Sequence, residues 1–185
     1  MSMEVWPVSR KLPEYPDICK LLKTAFPRNE QIPVWVLQLL AFRKDVHFLA
    51  FYDEAQFCGV LYTAEDDKYI FVLYLAVHPK FQSKGYGSMI LHWLRKHSPK
   101  NIVLNVEAEN TSAENANQRE SRIRFYNRNG ITDTGYLFQD AGENYSVLAS
   151  DCNSFRPQEY KRLLKRFPFG LYQITFKIPA LPSCL

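Results

Sequence analysis

Between Tyr74 and Ser88 the chain reads Tyr-Leu-Ala-Val-His-Pro-Lys-Phe-Gln-Ser-Lys-Gly-Tyr-Gly-Ser. An apolar run stops at a proline, a short polar loop follows, and a helical pattern begins at a Gly-x-Gly. The first four N–H groups of a helix have no partner within it, and the helix dipole adds partial positive charge at that end. Glycine lets the main chain approach a ligand closely. The segment is therefore equipped to hold an anion on backbone amides, with Lys84 adding a full charge beside them. Three phosphate-binding patterns compete for it. A Walker A loop requires G-x-x-x-x-G-K-[ST], a string this chain lacks, and a dinucleotide fingerprint requires G-x-G-x-x-G, whose last position here is Ile90. The third, Q/R-x-x-G-x-G/A after a strand, is met in full by Gln82, Gly85 and Gly87.

One strand further on lies Arg124-Phe125-Tyr126-Asn127-Arg128-Asn129-Gly130-Ile131. The glycine segment resembles motif A of the GNAT superfamily of acyl-CoA N-acyltransferases. The second stretch is similar to that superfamily's helix-then-strand signature F-Y-x-[KR]-x-G-F, with Ile131 in place of the usual aromatic. Two short motifs in the family's order are far more specific than either alone. The resemblance spans about residues 4–150 and implies a mixed α/β fold, a mostly antiparallel twisted sheet flanked by helices. A helix-strand extension follows in residues 151–185, and the whole is expected to form a single domain.

The resemblance also implies the chemistry. Acetyl-CoA is the expected acyl donor and a primary amine, on a small molecule or a peptide, the acceptor. Attack would be direct, without a covalent enzyme intermediate and without a metal. The pantetheine arm would pair with the main chain of Leu75, Ala76 and Val77, where an N–H near Val77 would face the thioester carbonyl. The diphosphate would rest on Gln82, Ser83, Lys84, Gly85, Tyr86, Gly87 and Ser88. An asparagine before the Phe-Tyr helix is a further cofactor contact, and Asn117 is assigned to it. Tyr126 matches the general acid that protonates the departing thiolate; a phenol with a reference pKa of about 10 is protonated at neutral pH. The plainer alternative is a tyrosine that packs on the cofactor.

The base is less defined. Where histone-type relatives carry a glutamate, this chain has Phe71, which accepts no proton. Glu107, near the carboxyl end of the next strand, is the substitute, acting directly or through water. It can equally be a solvated carboxylate, and an amine that arrives neutral needs no base. Glu30 reads as an acceptor-pocket or a surface residue, and His78 as a proton shuttle or a cap.

The elements that must position these groups follow from periodicity. Residues 69–77 are nine apolar residues in succession, as in a strand covered on both faces. Tyr86, Met89, Ile90, Trp93 and Leu94 share one helical face. Residues 4–8, 46–52, 56–63, 101–107, 131–138, 144–150 and 171–178 read as strands, the apolar last one able to pair across chains in a homodimer. Residues 17–26, 34–42, 119–129 and 157–167 read as helices.

Composition excludes several classes. A chain of 185 residues, 46% hydrophobic and 23% charged, builds a core without staples and is neither disordered nor low-complexity. No run approaches the ~20 apolar residues of a membrane span, and no secretory pattern opens the chain, so a cytoplasmic protein is expected. Cys19, Cys58, Cys152 and Cys184 are scattered, as reduced thiols are, and the four histidines lack metal spacing. A net charge of +4 suits an anionic ligand. The arginine and lysine groups of 119–128 and 161–166 read as solvated helix faces before nucleic-acid contacts. Beside the enzyme reading stands a second one, motivated by Phe71: an inactive acyl-CoA-binding sensor.

Overall fold

The computed structural model describes residues 3–108, 115–140, 143–167 and 175–177. The fold is mixed α/β with a mostly antiparallel sheet flanked by helices. The chain forms two compact units, one of residues 1–65 and 72–99, the other of residues 66–71 and 100–185.

The first unit contains β1 (Glu4–Pro7), α1 (Tyr15–Ala25), α2 (Val34–Leu40), β2 (Val46–Asp53) and β3 (Gln56–Glu65). It also takes residues 72–77 of β4 (Tyr69–Val77), and then α3 (Tyr86–His97). Its strand order is β1-β2-β3-β4, with β1, β2 and β3 antiparallel in turn. Ile18, Leu21 and Leu22, at helical spacing, bury one face of α1. Ile90, Leu91 and Leu94 do the same for α3, which packs on β3, and Trp93 of α3 meets Phe51 edge-on at 5.2 Å. Burial in β3 runs without a break from Phe57 to Ala64, so this strand, like β4, has both faces covered.

The second unit takes residues 69–71 of β4, β5 (Asn101–Glu107), α4 (Ala116–Arg128), β6 (Thr132–Asp140), β7 (Glu143–Ala149), α5 (Pro157–Lys165) and β8 (Thr175–Lys177). Residues 69–71 pair in parallel with 101–103; β5, β7, β6 and β8 then follow in antiparallel order. Two elements differ from the sequence reading by more than a shift of one or two residues at an end. α4 starts at Ala116, three residues earlier than its apolar pattern, because that first turn is polar. β6 carries a register shift between Asp133 and Leu137, where Gly135 stands at φ 77° and its N–H donates to Asp133 Oδ1 at 2.8 Å. Of the strand expected over 171–178, residues 175–177 are described and the rest lie outside the described residues.

An aromatic cluster holds α5 in this unit. Tyr160 is fully buried, its hydroxyl donates to Asn105 Oδ1 at 3.1 Å, and its ring lies 5.8 Å from Phe71. Tyr69 receives the Arg156 N–H on its hydroxyl at 2.9 Å, and Lys68 pairs with Glu159. The strand position where a carboxylate was sought is thus a packing site for the C-terminal helix.

Candidate active site

In the first unit β4 ends at Val77, and the chain turns under main-chain control. The His78 N–H donates to Cys58 O at 2.8 Å. Its Nδ1 accepts from the Lys80 N–H at 3.3 Å, so His78 caps the 3₁₀ turn Pro79–Phe81. Ser83 at φ 60° and Gly85 at φ 87° then swing the backbone into α3. The first bond at the start of α3 is Met89 N–H to Gly85 O at 3.0 Å, which leaves the N–H groups of Tyr86, Gly87 and Ser88 ahead of the ladder. Gln82, Ser83, Lys84 and Gly85 are exposed, and a Cβ placed on Gly85 would meet nothing within 4 Å. Open space therefore adjoins amide donors, a dipole end and the Lys84 ammonium. An anionic group fits there. Gln82 is held by its Nε2 donating to Val77 O at 3.2 Å.

Leu75 and Val77 are half-buried and Ala76 is buried. Sequence reasoning missed what sets them in place. A Cβ on Gly59 of β3 would stand 2.5 Å from Ala76 O, 3.2 Å from Val77 Cα and 3.3 Å from Ile90 Cδ1. Gly59 is the gap that lets β4 lie where it does. A lone glycine inside an apolar strand was the available signal.

In the second unit Tyr126 lies near the end of α4, 8% exposed, with its ring against Phe125 at 5.0 Å. Among the described residues its hydroxyl has no hydrogen-bond partner. A buried donor left unpaired calls for an explanation, and a ligand is one. Burial pushes its phenol up to about 12, while Arg122, one turn earlier, pulls the other way. It is a protonated group at neutral pH.

Glu107, at the end of β5, sits among cationic and amide side chains of α4 and the residue before it. It is 8% exposed, and its two oxygens face Arg119 Nη2 at 3.2 Å and Arg122 Nη1 at 3.0 Å. The Asn115 amide donates to both oxygens at 3.3 Å. Arg119 also donates to Ala108 O at 3.1 Å and to Asn115 Oδ1 at 2.7 Å, so the carboxylate ties the end of β5 to the first two turns of α4. Both carboxylate oxygens are thus taken up by guanidinium and amide donors, an arrangement that argues for a structural role. Asn115 is committed to this cluster, whereas Asn117 is exposed on α4. Glu107→Ala is expected to lower stability by roughly 2–3 kcal/mol, measured by denaturant unfolding. That is less than the 3–5 of a fully buried pair, because Arg122 reaches water. A loss below about 0.5 kcal/mol would show the cluster to be an ordinary surface pair.

Among the described residues no group of His, Cys, Asp or Glu is arranged to hold a metal ion, and no helix is long and apolar enough to cross a membrane.

Residues 15–131 match the family model of the acetyltransferase (GNAT) family, and the chain belongs to that family. A search of curated proteins returns no match. Solved structures share the fold. A Bacteroides thetaiotaomicron protein assigned to the GNAT family aligns at TM-score 0.66 and 20% identity, over 88% of this chain and 94% of its own. An aminoglycoside 6'-N-acetyltransferase complexed with coenzyme A aligns at 0.60 and 12%, over 83% and 99%. A GNAT acetyltransferase from Elizabethkingia anophelis with acetyl-CoA bound aligns at 0.55 and 15%, over 80% and 96%.

Proposed function

We propose that this chain transfers an acetyl group from acetyl-CoA to a primary amine. The observation that carries the reading is the open turn at residues 82–88, where the Tyr86, Gly87 and Ser88 amides ahead of the helix ladder, a left-handed glycine and the exposed Lys84 lie within the matched family segment. Main chain of Leu75, Ala76 and Val77 holds the pantetheine arm, and the Val77 N–H stabilises the oxyanion as the thioester carbonyl is attacked. The amine arrives neutral. Its nitrogen forms the new C–N bond, the C–S bond breaks, and the sulfur takes its proton from Tyr126. The amine's own surplus proton leaves to water, and Tyr126 is reprotonated from water, so the enzyme is restored. Glu107 acts here as the residue that fixes the start of α4, and Asn117 as a cofactor contact.

A screen of amine acceptors that follows thiol release tests this. The expected result is acceptor-dependent release above the thioester's own hydrolysis. The packing of Phe71 against Tyr160 favours one other reading, a module that binds acyl-CoA without turnover. Calorimetric binding of acetyl-CoA with no release across small amines, polyamines, aminoglycosides and peptide N-termini would establish that one instead.

A further inference from the structure

The hairpin joining β2 to β3 reaches the phosphate turn. Glu54 and Ala55, at φ 46° and 61°, form its tip, and Asp53 pairs with Gln56 across its base. Both side chains of that closing pair leave the hairpin. Asp53 Oδ2 accepts the Tyr86 hydroxyl at 2.6 Å, and Gln56 Oε1 accepts from Lys80 Nζ at 2.9 Å. Lys80 stands in the 3₁₀ turn just after β4; Tyr86 lies between the two glycines and is the first residue of α3. One hairpin thus holds both ends of the turn. Phe81, buried within it, packs edge-on against the Tyr86 ring at 5.0 Å.

Two physical arguments give these bonds a purpose. Fixing a backbone residue costs about 1–2 kcal/mol, and glycines, which stand on both sides of Tyr86, lose the most freedom. Bonds made before the ligand arrives remove that cost from binding. Charge points the other way, since a carboxylate beside an anion site repels the anion. The Tyr86 phenol is held up to about 12, chiefly by its bond to Asp53, so it remains a donor at neutral pH. Asp53 is placed as a holder, against its own electrostatic interest.

We propose that Asp53 is a positioning residue for the acyl donor. Acting through Tyr86, it holds the Gly85-Tyr86-Gly87 backbone in the form that receives a diphosphate. The hairpin tip thereby sets the preference for a nucleotide-bearing thioester over a short one. This rests on the donor assignment above.

The test is the affinity of coenzyme A and of pantetheine, which lacks the diphosphate, measured by calorimetry and competition for the wild type, Asp53→Ala, Tyr86→Phe and the double variant. Each single variant is expected to weaken coenzyme A about tenfold, equivalent to 1.4 kcal/mol. Pantetheine affinity should stay within about twofold, and the double variant should be no worse than either single one, since both remove one interaction. Tighter coenzyme A binding by Asp53→Ala would mean its charge matters and its geometry does not, and would overturn the proposal. So would unchanged affinity in both single variants, or equal losses for both ligands with a fallen Tm. A wild type that binds no coenzyme A would remove the donor assignment itself. A wild type that binds it, with variants that bind as well, removes the positioning role alone.

Discussion

Replacing Tyr126 with phenylalanine is expected to lower kcat about 100-fold or more while leaving the Kd for acetyl-CoA within about twofold. The substitution deletes one oxygen from a site that is 8% exposed and where the hydroxyl has no partner among the described residues. Among the described residues none is left unpaired by its loss, so the fold should be untouched, and Tm is the control. On the proposed mechanism, what disappears is the proton for the departing thiolate. The pH profile makes the assignment sharper. An acid must be protonated, and burial lifts this phenol from its usual 10 to about 12. Activity that depends on it is therefore full below pH 10 and falls only as pH climbs toward 12. The wild-type kcat should accordingly stay level between pH 8 and 10 once the acceptor amine is neutral. A descending limb centred near 10 would mean an unburied phenol or another group. Equal kcat for wild type and Tyr126→Phe at every pH would make Tyr126 a packing residue.

The parts of this fold that announce themselves in the sequence are those governed by local pattern. The apolar run of β4 and its proline stop are visible because two-sided burial leaves no polar positions. The glycine turn is visible because a sharp strand-to-helix turn with left-handed backbone at Gly85 calls for glycine. The polar start of α4 was hidden. Asn115, Arg119 and Arg122 look like a solvated face, and their partner Glu107 is found only when β5 and α4 are brought together. The same blindness applied to Phe71. Its motif position suggests a missing base, but its neighbour Tyr160 lies 89 residues away in sequence and supplies the reason an aromatic ring stands there. Asp53 belongs with these. As the end of an alternating strand it reads as a turn residue, and its bond to Tyr86 spans the whole of β3 and β4. Long-range pairing of this kind leaves no periodic trace.

Gly59→Val is expected to be among the most damaging single changes in the first unit, and comparison with Gly135→Ala isolates the cause. At Gly59 the backbone angle is not the obstacle; space is. The first added carbon would meet Ala76 O at 2.5 Å, and that atom is main chain with no rotamer to yield. Either β3 or β4 must shift, and the branched methyls of valine add crowding toward Ile90. Overpacking of this kind costs about 1–3 kcal/mol, which should lower Tm by roughly 3–10 °C. Because the displaced atoms belong to Ala76 and Val77, affinity for acetyl-CoA should fall as well, by about tenfold or more if the added-strand pairing of the pantetheine arm holds. Gly135 presents the opposite case. Its φ is 77° and nothing lies within 4 Å of a Cβ there, so alanine meets conformational strain alone. That strain is about 1–2 kcal/mol and lies in β6, which supplies none of the proposed donor contacts, so coenzyme A affinity should be unchanged. Stability losses in both variants, with affinity lost in Gly59→Val alone, would place the donor arm on the β4 main chain. Full affinity retained in a destabilised Gly59→Val protein would place it elsewhere.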